Sequence, residues 1–206
     1  MKIKRSMFTS VITGDIINSR KLTNAVWQSA LKGLFSQFGE EPGVWEIYRG
    51  DSFQIEIEPE EALKLAILIK AAIRQHKPLD VRMGIGIGSK DHSTDKVTQS
   101  TGSAFIHSGE CFEQLEKKTL AVRSLWPQFD KEVNLYLALA LLTINRWSEK
   151  ASALIKLVIE NEDVTQTELE EMAGKSQATI SENLTRAGFK EIMQMEKRYR
   201  ELIRNL

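Results

Sequence analysis

The chain has one cysteine, Cys111, in 206 residues. That excludes an intramolecular disulfide and fits a reducing cytoplasm. Net charge is also lacking: Lys plus Arg and Asp plus Glu are 28 each. No global field therefore draws the chain to nucleic acid or to a membrane surface. The longest apolar run, Leu135 to Ile144, is too short to span a bilayer and reads as a buried helix. Met1-Lys2-Ile3-Lys4-Arg5 starts like a signal peptide, but the following apolar run reaches Asp15 with no small-residue cleavage site. It reads as a basic lead into a first strand. Prolines number only four, and all sit where an element starts or stops. There is no internal repeat and no low-complexity segment.

What is present alternates between strand and helix patterns. Phe8 to Ile17 is rich in β-branched residues and reads as a central strand. Thr23 to Phe38 has helical spacing and is broken by Glu41-Pro42-Gly43. Val44 to Tyr48 and Phe53 to Ile57 flank Arg49-Gly50-Asp51-Ser52, a hairpin pattern. Pro59 opens a helix that ends before Pro78. Val81 to Ile87 is a strand, Lys90 to Thr101 a polar loop, Ser103 to Lys118 a helix and Thr119 to Ser124 a short strand. The order β-α-β-β-α-β, then α and β, predicts an α+β fold of ferredoxin-like type, with helices on one face of a largely antiparallel sheet.

After Trp126-Pro127 the pattern is all-helical. The expected division is an α+β domain over residues 1–126, a connecting helix over 127–148 and a helix-turn-helix domain over 149–206. Asp130 to Trp147 is apolar on more than one face, which predicts burial between domains or subunits. Three helices are expected from Ser148 onward.

Asp15 and Asp51 each stand at the turn-facing end of an apolar run. If the first strand pairs with the hairpin, the two carboxylates come side by side. Such carboxylates repel unless a hard cation lies between them, so Mg²⁺ with a nucleotide phosphate is the expected ligand. Ser19 and Arg20 follow the first strand and are placed to contact phosphate. Arg49 is a candidate ion-pair partner for either aspartate when no metal is bound.

Other motifs carry less. Gly84-x-Gly86-x-Gly88 lies inside a strand with no helix following at once, so it reads as a place where a helix packs closely on the sheet. Gly174-Lys175-Ser176 lacks the upstream glycine of a P-loop. Asp91, His92 and Asp95 read as a solvated loop, and His107 with Cys111 supplies only two ligands of a zinc site.

Asp15-Ile16 and Gly50-Asp51-Ser52-Phe53 resemble the catalytic domain of class III nucleotidyl cyclases and, more loosely, GGDEF-type diguanylate cyclases. The resemblance runs over residues 8–120 and includes Val81 to Gly88 and Thr101 to Phe105. It implies a cyclase- or palm-like sheet, with Asp15 and Asp51 as metal carboxylates, Ile16 supplying a backbone carbonyl and Gly50 in the metal-site turn. Two departures stand out. Ile106 and Glu110 occupy places where adenylyl cyclases carry an Asn and an Arg that stabilise the transition state, and a glutamate there would repel the developing charge. The whole chain, with Gly14-Asp15-Ile16-Ile17-Asn18-Ser19-Arg20 near its start, is similar to the SatD family of bacterial proteins.

Residues 164–190 resemble a helix-turn-helix of bacterial regulators. Gln166 to Ala173 is the first helix, burying Leu169, Met172 and Ala173. Gly174 permits the turn, and Ser176 to Ala187 is the second helix, burying Ile180 and Leu184. The resemblance implies Ser176, Gln177, Thr179, Asn183 and Arg186 as the DNA-reading face, residue types that match base edges. DNA and a second copy of the chain are the expected partners, with no membrane. The leading expectation is a regulator with a degenerate nucleotide- and metal-binding domain. A nucleotide-processing enzyme and an interaction scaffold are the alternatives.

Overall fold

The computed structural model describes residues 8–206. The basic lead over residues 1–5 lies outside them. The protein is α+β: among the described residues, a five-stranded mixed sheet is packed with eight helices. The sheet order is β2-β3-β1-β4-β5, with β1 Phe8–Ile17, β2 Trp45–Tyr48, β3 Ser52–Ile57, β4 Asp80–Ser89 and β5 Leu120–Arg123. β1 is antiparallel to both β3 and β4, β2 is antiparallel to β3, and β5 runs parallel to β4.

Period-two alternation sorts each strand between two faces. Ile12, Ile16, Phe53, Ile55, Val81, Met83, Ile85 and Ile87 face one core. Trp27, Leu31 and Phe35 of α1 (Asn24–Phe35) join that core, as does nearly all of α2 (Ala62–Arg74). α2 is almost wholly buried because it lies between the sheet and α5 (Glu149–Glu160). Inside it, buried Lys70 meets Asp80 Oδ1 at 2.9 Å, and Arg74 reaches Asp80 Oδ2 at 2.5 Å. Arg74 also donates to the carbonyls of Asn145 and Trp147, tying β4 to the turn before α5.

The expectation that the helices share one face is corrected. α3 (Ser103–Glu113) covers the opposite face, over β1 and β4. The reason is the glycine run: a Cβ on Gly86 would stand 2.2 Å from Ala104 O and Ser108 N, and one on Gly84 2.5 Å from Phe112 N. Only glycine lets a helix backbone approach a strand so closely. The expected helix to Lys118 stops at Glu113, and Glu116 adopts a left-handed φ of 51° that no helix interior accommodates. Similarly, α1 ends at Phe35, leaving Phe38 outside it.

The last third holds α4 (Pro127–Ile144), α5, α6 (Gln166–Ala173), α7 (Gln177–Arg186) and α8 (Phe189–Arg204). Four helices therefore follow Ser148, against three expected: α7 ends close to the expected Ala187, and α8 begins beyond the left-handed Gly188, at φ 64°. Ile155, Ile159, Ile192, Tyr199 and Ile203 join the same core as the sheet. Tyr199 donates its hydroxyl to the Pro59 carbonyl at 2.7 Å, and burial pushes its ionisation well up. α4 buries Phe129, Val133, Leu137, Leu141 and Ile144, while Leu135, Leu139 and Leu142 remain exposed. Within the chain α4 is thus buried on one face. No helix among the described residues is long and apolar enough to cross a membrane.

Candidate functional site

Asp15 sits one residue before Ile16 near the end of β1, opposite Ser52 of β3 and Arg82 of β4. Asp51 precedes β3, and its carbonyl accepts the Ile16 N–H at 3.1 Å. Asp15 and Asp51 are thus brought to one end of the sheet, as the hairpin pattern predicted. The hairpin turn uses Arg49 and Gly50 in left-handed conformations, φ 51° and 92°. Gly50 is exposed there, with open space around it, so its role is conformational.

Both carboxylates have protein partners. Arg82 grips Asp15 with two bonds: Nε donates to Oδ1 at 3.0 Å, and Nη2 donates to Oδ2. The guanidinium also lies over the Phe112 ring, 5.3 Å from its centroid. The bond to Asp15, with the nearby charges of Asp15 and Asp51, holds Arg82 even further above its ordinary ionisation range. Asp51 Oδ2 accepts from the buried Ser19 hydroxyl at 2.6 Å. The left-handed Asn18 turns the chain out of β1, and its amide donates to the Pro78 carbonyl. That turn delivers Ser19 to Asp51 and leaves Arg20 exposed. Ile16 is buried in the core, so only its backbone can serve the site.

Period-two alternation extends this polar cluster along the same face. Gln54 donates to Thr13 at 3.1 Å, and Thr13 bonds the Ser108 hydroxyl of α3 at 3.0 Å. Tyr48, across from Ser52, is pushed up in ionisation by burial. Further along, Lys90 pairs with Glu56 at 2.5 Å, and Thr98 bonds Glu46, so the Lys90 to Thr101 segment folds onto the sheet.

Sequence reasoning named Arg49 as the ion-pair partner, whereas the structure places Arg82 there. The available sign was Arg82's place at a polar position between apolar Val81 and Met83, on the glycine-lined face. Only the β1–β4 register, however, puts it opposite Asp15. A hard cation at this end of the sheet would have Asp15, Asp51 and the Ile16 carbonyl to hold it. With Arg82 on the β4 side of Asp15 the three groups carry one net negative charge, so a divalent ion held by Asp15 would compete with the guanidinium. Among the described residues, no group of three or more His, Cys, Asp and Glu side chains gathers to hold a metal. Cys111 is buried, its thiol pushed up to about 12 chiefly by burial, and His107 meets the Ile87 carbonyl through Nδ1 at 2.8 Å.

The second candidate surface is α6–α7. Thr165 and Glu168 form a complete capping box at the start of α6. Gly174 is left-handed at φ 58°, and Ser176 caps α7 by accepting the Thr179 N–H. α7 is held by buried Ile180 and half-buried Leu184. α6 is held less tightly than expected: Leu169 and Ala173 are only half-buried, and Met172 is 50% exposed. The helix spans eight residues at the rim of α5 and α7, too little to enclose them.

Ser176, Gln177, Thr179 and Arg186 are exposed, and Asn183 is half-buried. They do not share one outward line. Gln177 turns to α6, with Nε2 on Gln166 Oε1 and its N–H on Glu170, both at 2.6 Å. Asn183 bonds back to the Thr179 carbonyl and, with Arg186, borders a hollow beside Leu142 and Trp147. The outermost line carries Ala178, Glu182 and Arg186. The reason is helical phase: with Ile180 and Leu184 inward, a 100° step turns Gln177 toward the docked side and puts Thr179 and Asn183 on the opposite flank. Arg186 pairs with Glu182 at 2.5 Å, both about 70% exposed, an arrangement easily exchanged for another anion.

No family model matches the chain, and no curated protein matches it.

Proposed function

We propose that the protein is a bacterial regulator of SatD type, in which a cyclase-like sheet binds a nucleotide and a helix-turn-helix reads DNA as a dimer. The observation that carries the reading is the geometry of α6–Gly174–α7. Two short capped helices meet at a left-handed glycine, and the first turn of the second is exposed and polar: Ser176, Gln177 and Thr179. In helix-turn-helix proteins the start of the second helix meets the base edges. The sheet supports the other half. The antiparallel order β2-β3-β1-β4, with helices between β1 and β2 and between β3 and β4, is that expected of a ferredoxin-like split βαβ.

On this reading Asp15, Asp51 and the Ile16 carbonyl would hold Mg²⁺, which neutralises phosphate charge when bound. Gly50 and Ser19 frame the turn around it, and Arg20 is free to approach phosphate. Glu182 at the centre of the outward line of α7 favours a second reading, in which that helix meets a basic protein surface. Selection of bound sequences from a random DNA library, with and without nucleotide and Mg²⁺, decides between them. An enriched motif supports the regulator, and its absence in both conditions supports the protein contact.

A further inference from the structure

Buried Trp147 ties the end of α4 to the end of α7. Its indole N–H donates to the Ala187 carbonyl at 2.9 Å. On either side of Arg146, the carbonyls of Asn145 and Trp147 accept from Arg74 at 2.7 and 3.0 Å. The backbone that carries exposed Arg146 is therefore fixed against α7. Between this corner and α7 lies a hollow of about 380 Å³, bordered by Arg146, Trp147, Ser148, Asn183 and Arg186. Asn183 leads out of it to Thr179, one turn back on the flank of α7.

Two guanidiniums border this one hollow, and no carboxylate lines it. Glu149 and Glu182, the carboxylates nearest to them in sequence, are both engaged. Glu149 accepts the Lys77 N–H at 3.2 Å, and Glu182 pairs with Arg186. The Arg186 pair is exposed and therefore easily given up to another anion. Among the described residues Arg146 forms no ion pair. Like charges beside one space favour an anion between them. The start of α5 at Ser148 adds the positive end of a helix dipole. We propose that the hollow takes a phosphate of the DNA backbone, with Arg146 as its fixed cation and Arg186 opposite. The proposal rests on the DNA reading above and deepens it, because Arg146 stands outside the helix-turn-helix itself. Phosphate contacts set the position of a duplex, and base contacts choose its sequence. Arg146 thus holds the duplex in place while the first turn of α7 reads it.

Anisotropy titrations of the full chain across a range of salt read the contact. They use two duplexes, one selected from a random library and one scrambled. Arg146→Ala should lower the slope of log affinity against log salt by about 1, and should weaken both duplexes by the same factor. Arg146→Lys should keep the slope. Lys117→Ala, which removes an exposed charge on the loop after α3, should change neither slope nor affinity. Gln177→Ala should alter the preference between the duplexes with the slope kept. Arg146→Ala leaves every backbone bond of the corner in place, so its circular dichroism should match that of the wild type. An unchanged slope in Arg146→Ala, or a loss confined to the selected duplex, would overturn the contact and leave the DNA reading standing. A wild type that binds neither duplex would overturn both.

Discussion

Arg82 holds Asp15 across the β1–β4 pair, with one nitrogen on each carboxylate oxygen. The guanidinium supplies there the positive charge that the resemblance assigns to a metal. Such a bidentate pair fixes both side chains in position. It is partly exposed, so its contribution to stability is small. Its consequence is competition, because any cation that takes Asp15 displaces Arg82.

Mg²⁺ and a nucleoside triphosphate together should therefore raise the melting temperature of the wild type, and Asp15→Asn or Asp51→Asn should remove most of the rise. Saturation at a hundred times the dissociation constant corresponds to about 2.7 kcal/mol. Arg82→Ala should bind Mg²⁺ more tightly than the wild type, since the competing cation is gone. Thermal shifts across a Mg²⁺ titration check this, and equal midpoints for Arg82→Ala and wild type would count against the competition.

The purified protein should form no cyclic nucleotide from ATP or GTP. Ile106 is 60% exposed, and Glu110 pairs with Arg123 at 3.0 Å. Neither supplies a donor to a developing phosphate charge. Chromatography of long incubations with Mg²⁺ is the check. A cyclic product made by the wild type and lost in Asp51→Asn would refute the prediction.

Strand and helix order were legible because period-two and helical apolar patterns are local. The Asp15 and Asp51 neighbourhood was legible too, since a hairpin beside a central strand leaves little choice. Arg82 was not, because its partner is set by a register between strands 67 positions apart. The end of α7 was legible to within a residue, whereas the number of helices after Ser148 was not: a fourth continues beyond the left-handed Gly188. The flanks of α7 were misjudged for a similar reason. Phase around a helix follows from which residues dock, and Ile180 and Leu184 rotate Gln177 away from Asn183.

Gly86→Ala should destabilise the fold by about 3 kcal/mol, the cost of overpacking where the neighbour is backbone and cannot rotate away. The new methyl would stand 2.2 Å from α3 backbone atoms. Gly33→Ala is the control: it has open space around it and lies inside α1, so it should be neutral or mildly stabilising. Urea denaturation of both variants is the measurement, and equal midpoints would show that α3 yields.

Lys70 gives the fold a distinctive alkaline behaviour. Burial lowers its pKa from 10.5 to about 8, against the opposing pull of Asp80. Below pH 8 the amine is charged in both folded and unfolded chains. Between about 8 and 10.5 the unfolded chain binds the extra proton, so Lys70 adds stability as pH rises through that window. The gain over the whole window is on the order of 3 kcal/mol. Lys70→Met should abolish it, so the stability difference between wild type and variant should change across the window. A constant difference in denaturant titrations from pH 7 to 10 would contradict the assignment.

The remaining prediction concerns α7 and DNA. Its first turn presents Ser176, Gln177 and Thr179, while Arg186 lies a few turns on, held only by an exposed pair with Glu182. Glu182→Ala should strengthen binding, because it removes a carboxylate from the outward line and frees the guanidinium. Arg186→Ala should weaken binding by about 1–3 kcal/mol if it meets a guanine. Gln177→Ala should relax sequence preference, since Gln177 must first leave Gln166 to reach a base. The chain's zero net charge predicts weak binding to random DNA at physiological salt. Anisotropy titrations of the three variants against a selected sequence and a scrambled one provide the check. If Glu182→Ala binds no better than wild type, the outward line of α7 does not face phosphate, and its acidic centre points instead to a protein partner.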